Sequence, residues 1–250
     1  MKSLGSILFL CIMVNSYGQP LTSGKIIFKE TIKLKIDLGN SNPEMAKMIP
    51  SSQSVDKVLY FNSNESLYKN HTAPKDLEVK NEDEGNTFKL VLSMPESITY
   101  INKESDTYLQ SQDLMGKEFL VTDKPIQHKW RVTGEQKIIM NYTCQKAIMN
   151  DTSRNVVAWF TTLIPVATGP AGITGLPGMI LALEQNNGER MTLAVSVEPL
   201  PLDYEFVKPS KGKKVSKVEY DKIREDKMKE MGAINGNGTG VKMIIRNEKH

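Results

Sequence analysis

A chain of 250 residues with 39% hydrophobic and 24% charged residues is long enough to enclose a sizeable core, and its composition excludes a disordered or collagen-like polymer. The formal charge of +3 is unevenly placed: residues 19–207 hold 19 Lys and Arg against 23 Asp and Glu, whereas residues 208–250 hold 12 against 6. The basic run Lys211-Gly212-Lys213-Lys214 has no interleaved aromatics, which argues against a nucleic-acid partner.

The chain opens with Lys2, an apolar run from Leu4 to Val14 and the small polar stretch Asn15-Ser16-Tyr17-Gly18, the pattern of an export signal cut after Gly18. The run is shorter than the roughly 20 residues of a membrane span, so no transmembrane anchor is expected once it is removed. Cys11 leaves with it. Cys144 is then the remaining cysteine, which excludes an internal disulfide and a thiolate zinc site.

Residues 25–38 alternate: Ile26, Phe28, Ile32, Leu34, Ile36 and Leu38 face one way, and Lys25, Lys29, Lys33, Lys35 and Asp37 mostly the other. Period two over this length predicts a strand with one wet face in an antiparallel sheet. Glu30 falls on the apolar side, which predicts a bulge or a frayed stretch there. Residues 40–54 read as turns with a short helix after Pro43, 55–61 as a strand, 66–68 as another, and the charged stretch 70–86 as a loop. Short strands follow at 87–93, 97–101, 106–110 and 117–122. A long strand over 138–149 places Met140, Tyr142, Cys144 and Ile148 on one face, and 156–164 puts Trp159 and Phe160 on opposite faces. After the Gly169-Pro170 loop, strands are expected at 179–183 and 191–197. Ser216 and Glu219 fit a capping box opening a helix over 217–231, and 241–245 reads as a final edge strand.

Few side chains suggest chemistry. His71, His128 and His250 lie in separate segments, and no base stands near Cys144 in sequence, so no catalytic or metal-binding residue and no cofactor is assigned. Phe28, Tyr142 and Cys144 are expected in the core. Trp159 and Phe160, with the tight Gly175-Leu176-Pro177-Gly178 turn, are the candidate ligand or partner contacts, although a core anchor and a structural turn are the plainer readings of the same residues.

The middle of the chain resembles the GLPGLI family of exported bacterial proteins. The resemblance rests on Gly175-Leu176-Pro177-Gly178-Met179-Ile180, preceded in family order by Gly24-Lys25-Ile26, Phe61-Asn62, Ser66-Leu67-Tyr68, Tyr142-Thr143-Cys144-Gln145-Lys146-Ala147, Ala158-Trp159-Phe160-Thr161, Ile164-Pro165 and Gly169-Pro170. It covers most of residues 24–200. Met179 stands where the motif has Leu, and Ala171-Gly172-Ile173 replaces a bulkier stretch.

The resemblance implies an exported protein of the periplasm or cell surface with no assigned activity. The hairpin around Cys144 and Trp159 is also similar to the curved sheet of LolA-type lipoprotein carriers. The expected architecture is therefore mainly β: a curved antiparallel sheet forming an open half-barrel, with short helices and a C-terminal helix. Its parts are a signal at 1–18, a β-rich domain at 19–207 and a basic helix and tail at 208–250. The function expected is non-enzymatic binding of a lipid-like or peptide ligand, or of an envelope protein, on the curved sheet. A structural module of the envelope and an envelope hydrolase are the alternatives, the latter requiring His128, Cys144 or an acid pair to converge.

Overall fold

A computed structural model describes residues 20–34, 47–83, 86–94, 96–150, 155–230 and 242–249. The expected export signal, the continuation of the first strand over 35–38 and the helix after Pro43 up to residue 46 lie outside the described residues.

Fifteen strands are described: β1 (Gly24–Lys33), β2 (Ser52–Phe61), β3 (Glu65–Asn70), β4 (Leu77–Asp83), β5 (Asn86–Ser93), β6 (Ser97–Asn102), β7 (Thr107–Leu114), β8 (Lys117–Asp123), β9 (Trp130–Ile139), β10 (Tyr142–Met149), β11 (Val157–Thr161), β12 (Met179–Gln185), β13 (Arg190–Glu198), β14 (Lys213–Val215) and β15 (Lys242–Lys249). The helix α1 spans Lys217–Glu230. Twelve strands form one curved sheet in the order β14-β8-β7-β6-β3-β2-β1-β13-β12-β11-β10-β9, whose ends do not meet. Every pairing in it is antiparallel except β14 beside β8. A second sheet orders β15-β5-β4.

Two local readings are corrected. The charged stretch expected as a loop contains β4, which pairs with β5 along its length. The single strand expected over 138–149 is broken: Met140 and Asn141 both adopt positive φ, 48° and 65°, and turn the chain so that Ile139 pairs with Tyr142. Two positive-φ residues joining antiparallel strands make the turn whose twist matches that of the sheet.

Residues opposite each other in an antiparallel sheet project to the same side. Register therefore sorts the large sheet into two faces. On the inner face Ile26, Phe28 and Ile32 of β1 lie with Val55, Leu59 and Phe61 of β2, all buried. Continuing the row of Leu59 leads to Tyr68, Thr99, Gln110 and Val121.

The loop from 162 to 178 fills this face. Ile164 and Val166 join the core that contains Phe28 and Leu59, and Leu176 packs with Phe160, Ile180 and Leu183. Thr168 and Ser66 share a hydrogen bond at 3.1 Å, which ties the loop to β3. The indole N–H of Trp130 donates to Thr174 O at 2.9 Å, which ties it to β9. At the tip the chain passes so close to its neighbours that a Cβ on Gly175 would stand 2.3 Å from His128 O, and one on Gly178 only 2.1 Å from Thr161 O. Gly175 also needs φ of 98°, which L-residues avoid. The loop is a plug wedged between the two halves of the sheet.

The C-terminal segment wraps the opposite end. Tyr204 stacks on Tyr60 of the outer face with ring centroids 4.0 Å apart, Phe206 meets Tyr204 edge-on, and Lys208 lies over Tyr100. The chain then adds β14 to the edge and crosses to the inner face. There Tyr220 of α1 packs edge-on against Phe119. Ser216 Oγ accepts from the Glu219 N–H at 3.1 Å, the cap expected from sequence.

Candidate functional site

Two groups of side chains stand out. The first is a polar stripe on the inner face. Glu30 is 5% exposed, and β1 passes it without a bulge: the register shift in β1 lies between Ile27 and Phe28. That corrects the expectation of a bulge at Glu30. The carboxylate is retained by pairing instead: Arg190 Nη1 approaches Glu30 Oε1 at 3.8 Å and Tyr68 Oη donates to Oε2 at 3.5 Å. Lys57, equally buried, donates to Asn70 Oδ1. Burial lowers the Lys57 pKa, and the Glu30 charge opposes that shift. Burial, with the Glu30 charge, raises the Tyr68 phenol well above its usual range. Two polar atoms beside this cluster, Gln53 Oε1 and Asn70 Nδ2, are buried without a partner, a setting that calls for bound water. Glu30 and Lys57 are buried, while the Arg190 side chain is 30% exposed, so the pair sits at the border of the core.

The second group lies on the outer face, at the half of the sheet away from Tyr204, Phe206 and Lys208. Register places Lys146, Trp159, Ala182, Leu193, Lys29 and Asp56 in one row across six strands. The next row holds Val157, Glu184, Met191, Thr31 and Ser54. Leu193 is 43% exposed and Met191 48%. The Lys137 ammonium sits 4.1 Å from the Trp159 ring centroid and that of Lys146 at 6.0 Å. Lys146 is held by Glu135 at 2.9 Å. Burial lowers the Lys137 pKa, while Cys144 and Glu184 act to raise it. The arrangement is an indole flanked by ammonium groups, an acid and aliphatic side chains.

The residues singled out in the sequence separate between these settings. Phe28 and Cys144 are fully buried, and Tyr142 is half-buried against the same core. Phe160 is buried on the inner face, Leu176 and Gly178 are buried within the plug, and Gly175 and Pro177 are exposed at its surface. Trp159 is half-buried under Lys137 and packs against the same core cluster as Phe28 and Cys144. Burial pushes the Cys144 thiol up to about 11. Burial lowers the His128 pKa, and its Nδ1 is buried without a partner. His71 ends β3 at a distant turn, where its N–H donates to Asp56 O. Sequence reasoning missed Glu30–Arg190, Lys57 and the Ala182–Leu193–Glu184 surroundings of Trp159, because each depends on register between strands distant in the chain.

The family described as N-glycanase peptide, N-terminal domain, matches residues 76–222. The chain belongs to this family. The outer-face row from Lys146 to Leu193 lies wholly within the matched span, and Glu30 and Lys57 lie before it. Among solved structures the domain is similar to PNGF-II in space group P21, with TM-score 0.52 and 16% identity over 82% of this chain and 33% of that one. A second PNGF-II structure, in space group C2, gives TM-score 0.49 and 16% identity over 81% and 32%. At this identity the likeness is one of fold, and the domain spans about a third of the length of its structural neighbour. No curated protein sequence matches.

The family overturns the expectation of a non-enzymatic carrier for a lipid-like or peptide ligand. Membership places the chain among domains of an enzyme class, the N-glycanases. The structure removes the stated basis of that expectation as well, since the inner face of the curved sheet is filled by the plug, α1 and the polar stripe. Among the described residues, no helix is long and apolar enough to cross a membrane.

Proposed function

We propose that this domain works in N-glycan removal by engaging the N-glycosylated substrate on its sheet, with the bond-breaking groups supplied from beyond the described residues. The observation that carries this reading is the match of residues 76–222 to an N-terminal domain of N-glycanases. Its candidate nucleophile, Cys144, is a fully buried thiol with a raised pKa, poorly suited to attack. The export signal at 1–18 and the GLPGLI-like motif at 175–180 fit work outside the cytoplasm, where N-glycoproteins are met. In this reading the motif is the plug that sets the curvature of the sheet.

The test is retention of a native N-glycoprotein on the immobilised chain, compared with the same protein after its N-glycans are removed, with mass spectrometry of the glycoprotein for glycan release. Selective retention of the glycosylated form without release is expected. Equal retention of both forms overturns the reading. Release by the isolated chain would place the chemistry within it and overturn the division of labour.

A further inference from the structure

We infer that the groove between β7, β8 and the C-terminal segment is a docking subsite for the polypeptide part of the substrate, taking an apolar side chain followed by a carboxylate. The inference rests on the reading above and assigns one contact of the glycoprotein to particular residues. Register puts Leu109 opposite Thr122, and Leu120 between Ser111 and Lys214, all on the outer face. Pro209 and Ser210 form the other wall, and together these side chains line a cavity of about 320 Å3. Leu120 and Pro209 are buried, whereas Thr122, Ser210 and Lys214 are exposed at its mouth.

The wall is anchored on both sides. Lys208 lies 5.2 Å from the Tyr100 ring centroid. Gly212, at φ of 106°, passes β8 so closely that a Cβ on it would stand 2.8 Å from the Phe119 carbonyl carbon. Pro209 and Ser210 lie between these anchors, so the groove is formed in advance, which lowers the cost of ordering on binding. Three apolar side chains with two hydroxyls and an ammonium at the rim match the composition of a ligand site. No described carboxylate pairs with Lys211 or Lys214. Of the nearby acids on this face, Asp113 and Glu118 sit toward the β7–β8 turn, where Asp113 accepts from the Gly116 N–H. An incoming carboxylate therefore meets the ammonium of Lys214. A pyranose would leave most of its hydroxyls unpaired against Leu109, Leu120 and Pro209. An acyl chain would overrun a cavity of this size. An extended peptide fits: one side chain fills the groove, and its backbone meets the Ser210 and Thr122 hydroxyls.

The experiment is NMR of the full chain labelled at its leucine methyls, titrated with acetyl-Leu-Asp-amide, acetyl-Ser-Asp-amide, acetyl-Leu-Lys-amide and N-acetylglucosamine. Saturable shifts of the Leu109 and Leu120 methyls are expected with acetyl-Leu-Asp-amide, with affinity about tenfold lower for the Ser probe and about threefold lower for the Lys probe. Ser210→Trp fills the groove and should abolish the shifts, and Lys214→Glu should turn the preference from Asp to Lys. Both positions are exposed, and thermal unfolding checks each variant. Shifts that are absent, equal for the three dipeptides or stronger with N-acetylglucosamine overturn the subsite, while glycan-dependent retention by the wild type leaves the proposed function standing. Ser210→Trp should also weaken retention of the native N-glycoprotein, and unchanged retention overturns the assignment of the groove to the substrate. Dipeptide binding by a wild type that retains glycosylated and deglycosylated protein equally overturns the proposed function and leaves a peptide groove.

Discussion

The plug gives the sharpest test of the fold, because three glycines separate two physical causes. Gly116 has φ of 81° and open space where a Cβ would stand. Gly116→Ala therefore carries backbone strain alone, about 1 kcal/mol. At Gly178 a Cβ would approach Thr161 O to 2.1 Å, more than 1 Å inside ordinary contact, and that oxygen belongs to backbone at the end of β11. Gly178→Ala is an overpacking change with no soft neighbour to yield, and about 2–3 kcal/mol is expected. Gly175 combines both causes, φ of 98° with His128 O at 2.3 Å, so Gly175→Ala should lose about 3–4 kcal/mol. Urea midpoints by circular dichroism rank the three at constant slope. In a Trp159→Phe background, Trp130 fluorescence reports on the plug itself, because its indole N–H is bonded to Thr174 O. A Gly175→Ala protein no less stable than Gly116→Ala would show that the loop is not wedged between the halves of the sheet.

Further outcomes follow from single sites. The folded pKa of Lys57 lies below 10.5, so between that value and 10.5 the unfolded chain binds more protons and stability rises with pH. Lys57→Met should remove part of that rise in the pH range just below 10.5, measured as urea midpoints; an unchanged slope refutes the burial cost assigned to the ammonium. Cys144, shifted from 9.0 to about 11, has about 100-fold less thiolate than an ordinary cysteine at pH 8, before burial slows it further. Peptide mass spectrometry after iodoacetamide should find it unmodified until urea unfolds the chain. The double change Met140→Asn with Asn141→Gly fits both positive-φ positions of the β9–β10 turn and should raise stability by about 0.5–1 kcal/mol. A loss of stability there would refute the turn assignment.

Much of the sheet is written in period-two alternation, which is why β1 and β13 are legible in isolation. The failures have specific causes. Met140-Asn141 is not the Asn-Gly pair that announces a tight hairpin, so the turn was invisible between two runs of strand-forming residues. β4 offers only Leu77 and Val79 as described apolar side chains on an otherwise charged stretch, and its identity comes from its pairing with β5. Glu30 was visible as an exception, but its partner Arg190 is contributed by a strand far along the chain, so the sequence alone could not separate a bulge from a buried pair. The glycines at 175 and 178 signalled a special turn. What they wedge against, His128 and Thr161, could not be read. Trp159 is the extreme case: it stands out in the sequence as a candidate ligand or partner contact, yet its neighbours Ala182 and Leu193 depend on two strand registers.

The two halves of the outer face are treated differently, and the contrast bears on function. At one half the chain spends a whole segment covering Tyr60 and Tyr100 with Tyr204, Phe206 and Lys208. At the other it leaves Met191, Leu193 and Val195 on successive alternate positions of β13, each more than two-fifths exposed. A sheet face that needed only to meet water would carry polar residues at those positions, as β1 does at Lys25 and Lys29 on the same side. The apolar residues cost solubility and add little to folding where they stand. Within the span shared with N-glycanase N-terminal domains, they fit the substrate contact proposed above. The inner face, by contrast, already pairs its own charges: Glu30 with Arg190 and Tyr68, and Lys57 with Asn70.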